Sequence, residues 1–110
     1  MAARVINLVL EQGVDFEATF TIQNQNGSAL NLTGYTGESK VRKHPEATKS
    51  HDFVVSFPDR INGKIKVAMA STVTAPIEGG RYVYDLVLTS TNSYKTRPIS
   101  GNVLVTPGVT

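Results

Sequence analysis

Gly80-Arg81-Tyr82-Val83-Tyr84-Asp85-Leu86-Val87-Leu88-Thr89 is the stretch from which the fold is read. Tyr82, Tyr84, Leu86 and Leu88 alternate with Arg81, Val83, Asp85, Val87 and Thr89. A period of two belongs to a strand with one buried face, because successive side chains leave opposite sides of the pleat. β-Branched and aromatic residues suit that surface. Gly79-Gly80 precedes the stretch and Thr91-Asn92-Ser93 follows it, so turn residues punctuate both ends. The pattern predicts the central strand of a small β-sandwich. Asp85 on the outer face needs no partner; if covered it requires a cation, and Arg97 or Arg81 is in reach along the chain. Tyr82, following glycine at the head of a late strand, has the form of a tyrosine corner, whose hydroxyl bonds back to upstream backbone.

Working outward, Lys64–Met69 alternates with Ile65, Val67 and Met69 inward, and Asp52–Phe57 sets Phe53, Val55 and Phe57 on one face. Phe16, Ala18, Phe20 and Ile22 face in while Asp15, Glu17, Thr19 and Thr21 face out. Asn26-Gly27 is a tight-turn signal, since both residues tolerate positive φ. Thr36–Lys43 is more polar than its neighbours and is expected at a sheet edge, where charge discourages unwanted pairing. Pro45 should end it. Residues 71–80 link two strands with room for one helical turn. Ser100–Thr106 makes the last strand. At the other end, Val5, Ile6, Leu8, Val9 and Leu10 are interrupted only by Asn7, so either both faces are covered or one face waits for a partner. About seven or eight short strands with frequent turn signals argue for an all-β, antiparallel two-layer sandwich. The expected core is Phe16, Phe20, Ile22, Leu32, Phe53, Val55, Phe57, Ile65, Val67, Tyr84, Leu86, Leu88, Val103 and Val105. One domain spans residues 1–110, with short terminal arms at Met1–Val5 and Thr106–Thr110.

Composition narrows the function classes. A hydrophobic fraction of 40% with 18% charge describes a folded globular chain. No apolar run approaches the ~20 residues that span a bilayer, so a membrane is not an expected partner. The N-terminus lacks the apolar segment of a signal peptide, and there is no cysteine; both fit assembly in a reducing cytoplasm. A net charge of +2 does not announce nucleic acid. Its distribution is uneven, −3 over residues 1–39 and +4 over residues 40–66, which would let neighbouring copies attract one another.

Catalytic equipment is hard to find. His44 and His51 flank a polar loop with Glu46 and Asp52 nearby, without a ligand spacing that specifies a metal. There is no Gly-x-Ser-x-Gly elbow, P-loop or Gly-x-Gly-x-x-Gly cradle. The carboxylates are scattered, with no pair set for acid–base work. We therefore expect no enzyme, no cofactor and no metal. Lys40, Arg42, Lys43 and His44 form a basic cluster near Tyr35 that suits phosphate or an anionic sugar, and equally suits a charged strand edge.

Four segments carry a family likeness: Leu8-Val9-Leu10-Glu11-Gln12-Gly13-Val14-Asp15-Phe16, Leu32-Thr33-Gly34-Tyr35-Thr36, Gly80-Arg81-Tyr82-Val83-Tyr84-Asp85-Leu86 and Gly101-Asn102-Val103-Leu104-Val105-Thr106-Pro107. Together they resemble small virion proteins of tailed bacteriophages. They are similar to immunoglobulin-like domains of baseplate and tail proteins, including the N-terminal domain of upper baseplate proteins. The resemblance implies an immunoglobulin-like sandwich and a structural role in the virion. Such a module docks in multiple copies on tail, baseplate or neck, with other virion proteins and copies of itself as partners. A capsid decoration protein, or a module binding a carbohydrate or receptor on the host surface, are the alternatives. Tyr35 and Tyr94 are the candidate aromatics for a glycan. Candidate assembly contacts are Val5, Ile6 and Leu8 in the opening strand, Lys40, Arg42 and Lys43 in the basic cluster, and Val109 in the terminal arm.

Overall fold

The computed structural model describes residues 4–24 and 27–109. Eight strands and one helical turn follow in chain order: β1 (Arg4–Val5), β2 (Leu8–Glu11), β3 (Phe16–Thr21), β4 (Thr36–Arg42), β5 (His51–Asp59), β6 (Lys64–Met69), α1 (Ser71–Thr74), β7 (Gly80–Thr89) and β8 (Lys95–Thr106). The fold is all-β and sandwich-like, made from one curled, mixed sheet in the order β1-β8-β7-β4-β5-β6-β3, with β2 also on β8. β5 serves both layers. Ser39 and Val41 of β4 are opposite Phe53 and His51, whereas Val54, Val55 and Ser56 are opposite Ala68, Val67 and Lys66 of β6.

β7 lies between β8 and β4, and its burial alternates along its length as the sequence pattern requires. Tyr82, Tyr84, Leu86 and Leu88 join Val41, Phe53, Ile65, Val67, Val103 and Val105 in a single buried cluster. Leu10, Ile77 and Ile99 also belong to it, although none was in the expected core, and Phe16, Val55 and Phe57 pack against its rim. Phe53 sits 5.7 Å from the Phe16 ring and meets Tyr84 edge-on at 6.1 Å. Tyr82 Oη donates to the Glu78 carbonyl at 2.7 Å, completing the tyrosine corner.

The antiparallel pattern fails at the N-terminus. β1 and β2 run parallel to β8, with Val5 opposite Ser100 and Leu8 opposite Val103. Both pairs have the same offset, so β1 and β2 are one strand interrupted at Ile6-Asn7. The Ile6 amide still donates to Ser100 O at 2.9 Å, and Asn7 Oδ1 accepts from the Asn102 amide at 3.1 Å. Gly101 permits this approach: a Cβ there would collide with the Ile6 carbonyl. That carbonyl instead accepts from Tyr84 Oη at 2.6 Å, which satisfies a hydroxyl held in the core.

β4 is not an edge strand. It pairs with β7 along Thr36–Arg42 and with β5 at residues 39–41. Its polarity has another cause: Lys40 and Arg42 project outward while Ser39 and Val41 are buried. The Ser39 hydroxyl is answered by the Asp85 carbonyl at 2.6 Å. The sheet ends instead at β3 and at the N-terminal strand.

Both strand prolines sit at irregularities. The β7–β8 register shifts between Leu86 and Leu88, opposite the segment holding Pro98, and the β5–β6 register shifts between Ser56 and Asp59, around Pro58. A residue without an N–H is tolerated where the ladder is already broken. Gly63 is tightly enclosed, since a Cβ would sit 2.5 Å from Ile22 O and 2.9 Å from Leu30 O, at a φ of +71°. Arg60 closes the same end, donating from Nη1 to Leu32 O and Tyr35 O while lying 4.0 Å over the Phe57 ring. Among the described residues, no helix is long and apolar enough to cross a membrane.

Candidate functional site

The outer face of the β2–β8–β7–β4 layer is the most distinctive surface of the molecule. Alternation decides its composition. Leu8 and Leu10 point into the core, so Val9 points out, 55% exposed. Val103 and Val105 are buried, so Leu104 points out, 44% exposed. Tyr82 and Tyr84 are buried, so Arg81 is exposed and Val83 half-buried on the outside. Register then brings these together: Val9 is opposite Leu104, Leu104 opposite Arg81, and Val83 opposite both Asn102 and Arg42.

Two open troughs mark this face. One of about 590 Å³ is lined by Val5, Lys40, Arg42, Pro45, Val83 and Arg97, among others. The second, of about 510 Å³, is lined by Val9, Lys43, Arg81, Tyr82 and Leu104, among others. They share Val83 and Asn102, so they form one continuous concavity.

Charge on this face divides into paired and unpaired groups. Arg97 Nε donates to Asp85 Oδ2 at 2.8 Å, which resolves the two sequence options in favour of Arg97. Lys40 lies 3.3 Å from Asp52 and 3.4 Å from Glu38. The hydrogen bond to Asp52, then that to Glu38, holds its ammonium above the usual lysine range. Arg42 donates to the Ala47 carbonyl at 2.6 Å, a neutral acceptor, and Lys43 lies 4.8 Å over the Tyr82 ring. Among the described residues, no carboxylate comes within ion-pair distance of Arg42, Lys43 or Arg81.

The expected assembly contacts divide accordingly. Val5, 73% exposed, lines the first trough with Lys40 and Arg42, and Lys43 lines the second. Ile6 is half-buried and acts through its backbone. Leu8 is a core residue with only 8% exposure, because it occupies an inward position of β2, and it borders the second trough from beneath. Val109 is fully exposed and lines neither trough. Described residues of both expected terminal arms are tied to the sheet or to its neighbours. Arg4 and Val5 are paired with β8, and the Gly108 amide donates to Gln12 Oε1 at 3.1 Å. Met1–Ala3 and Thr110 lie outside the described residues. Val9, Val83, Leu104 and Arg81 were missed as surface candidates. Their phase was legible: each is an apolar or cationic residue at an outward position of an alternating strand.

Other candidates do not assemble. The acidic and basic blocks of the chain meet at two points, since β3 pairs with β6 and sets Glu17 3.0 Å from Lys66, and Glu38 lies 3.4 Å from Lys40. Among the described residues, no three of His, Asp and Glu converge as a metal site would require. Tyr35 packs against the core while Tyr94 is exposed in the turn before β8, so a single tyrosine ring of the two is open to solvent. No family model matches the chain, and a search of curated proteins finds no match.

Proposed function

We propose that this chain is a non-enzymatic, immunoglobulin-like structural module of a tailed-phage virion, assembled in the host cytoplasm. It docks on tail, baseplate or neck proteins through the outer face of the β2–β8–β7–β4 layer. The virion setting rests on the sequence resemblance. The docking role rests on one observation: valine and leucine side chains are exposed side by side with Arg42, Lys43 and Arg81, for which no carboxylate lies within ion-pair distance among the described residues. An apolar patch rimmed by polar groups is a common form of interaction site. The glycan-binding alternative finds less support, since Tyr35 is partly buried against the core and only Tyr94 of the two candidates is well exposed.

Particle composition tests the reading. Phage particles from a host carrying this gene should retain the chain through density-gradient purification, and gold-labelled antibody should mark one structural level of the particle. Recovery of the chain wholly outside purified particles would refute the virion role.

A further inference from the structure

We infer that this outer face takes an extended, acidic segment of a different protein, one whose carboxylates are interspersed with aliphatic side chains. The inference deepens the docking role by naming the partner's chemistry. Two features specify it. Val9, Leu104 and Val83 lie on neighbouring strands and form a short apolar diagonal across the sheet. Arg81 and Arg42 flank that diagonal at directly paired positions, and Lys43 borders the same concavity. A partner covering the valines must also desolvate these cations, and only opposing negative charge offsets that cost. Carboxylates alternating with aliphatic residues along an extended chain would present both requirements together.

A second copy fits less well. Two such faces brought together across a two-fold axis would set Arg42, Lys43 and Arg81 of each copy in one interface. Of the acidic residues at the strand positions of this face, Asp85 and Glu38 are engaged by Arg97 and Lys40, and the exposed Glu11 of β2 is a single carboxylate against three cations on each copy. Nucleic acid fits less well again. Base stacking needs an open aromatic ring, and the ring at this face, Tyr82, is buried beneath Lys43.

The test uses the full chain and a capped peptide alternating glutamate with valine and leucine. Controls are a polyglutamate of equal length and the same alternating peptide with lysine for glutamate. The alternating acidic peptide should bind and shift the amide resonances of Val9, Val83 and Leu104. Arg81→Glu should weaken it at least about tenfold. Leu104→Thr, which keeps the charges, should weaken it as well, and thermal unfolding of both variants checks that the fold is intact. Equal binding of polyglutamate, no binding of any peptide, or shifts confined to other surfaces would overturn the inference. So would a dimer of the wild-type chain that Arg81→Glu dissociates, since that assigns the face to a second copy. Particle incorporation separates the two levels. If Arg81→Glu enters particles as well as wild type, the partner chemistry is wrong and the virion role stands. If wild type never enters particles, that role fails and peptide binding alone judges the face.

Discussion

The two outward faces of the sandwich follow the same alternation and end with different surfaces. On β3 and β6 the outward positions hold Glu17, Thr19, Thr21, Lys64, Lys66 and Ala68. Glu17 meets Lys66, and Lys64 Nζ reaches Thr21 Oγ1 at 3.5 Å. Val54 is the exposed large apolar residue of that layer. On β2, β8 and β7 the outward positions hold Val9, Leu104, Val83 and Arg81 beside Glu11, Asp85 and Arg97, and among the described residues no carboxylate lies within ion-pair distance of Arg81, Arg42 or Lys43. The second face gathers apolar residues and unpaired cations in one place, whereas the first scatters them. An unpaired sheet face of mixed apolar and cationic character is a poorer solvent-facing surface than its neighbour, which is the physical reason to look for a partner there.

The sharpest way to break this contrast is to alter neighbouring residues of β2 that point opposite ways. Leu10 is fully buried, so Leu10→Ala should cost about 2–5 kcal/mol through lost burial and a residual cavity. Val9→Thr should stay within about 0.5 kcal/mol. Urea unfolding at constant slope measures both. Equal costs would mean that Val9 is covered, and the contrast between the faces would collapse.

A middle-sized effect concerns the anchor beneath the β2–β8–β7 outer face. Tyr84→Phe leaves the Ile6 carbonyl without its donor and should cost about 1–2 kcal/mol. Burial pushes the Tyr84 hydroxyl from 10.0 up to about 12. Between those values the unfolded chain has lost a proton that the folded chain keeps. Stability is therefore complete below pH 10 and falls as pH rises toward 12, by a total on the order of 2–3 kcal/mol. Tyr82, raised by burial and then by Glu78, adds a decline of the same sign. Urea midpoints across this window should fall less steeply in Tyr84→Phe; an unchanged slope would remove Tyr84 from the alkaline transition.

The smallest effect belongs to the β3–β6 face. Glu17→Gln removes the carboxylate opposite Lys66, yet both side chains are solvated, so the loss should be about 0–0.5 kcal/mol and vanish in high salt. A larger, salt-resistant loss would show that this face too is organised around a specific contact.

Which strands exist was largely legible, and which strands meet was less so. β3, β6 and β7 announced themselves because a half-buried strand imposes its period on the residues that form it. Tyr82 and Asp85 were legible too, since a corner hydroxyl and a charge in an apolar strand each demand a partner nearby. The position of β4 was not. Lys40 and Arg42 make it polar whether it lies at an edge or inside a layer with one wet face, and only its neighbours distinguish the two. The parallel pairing of the N-terminal strand with β8 joins residues about 95 positions apart, which no local pattern encodes. The contact between the charge blocks is hidden for a related reason: Glu17 and Lys66 are distant in sequence and adjacent across β3 and β6. Lys40, Arg42, Lys43 and Val5, singled out from a local basic cluster and an apolar opening strand, line the two troughs. Leu8 is nearly buried, and Val9 and Leu104 escaped notice, because the apolar runs are read as wholes without the phase of each strand.

The parallel seam between β2 and β8 has a mechanical meaning. Chain entry and chain exit lie at opposite ends of that seam, with Leu8–Glu11 alongside Val103–Thr106. A pull that separates the two ends draws these strands past each other and strains their cross-links together. Had the strands run antiparallel, the same pull would have peeled them apart one link at a time. A domain held at both ends under tension would thus carry load along its strongest direction.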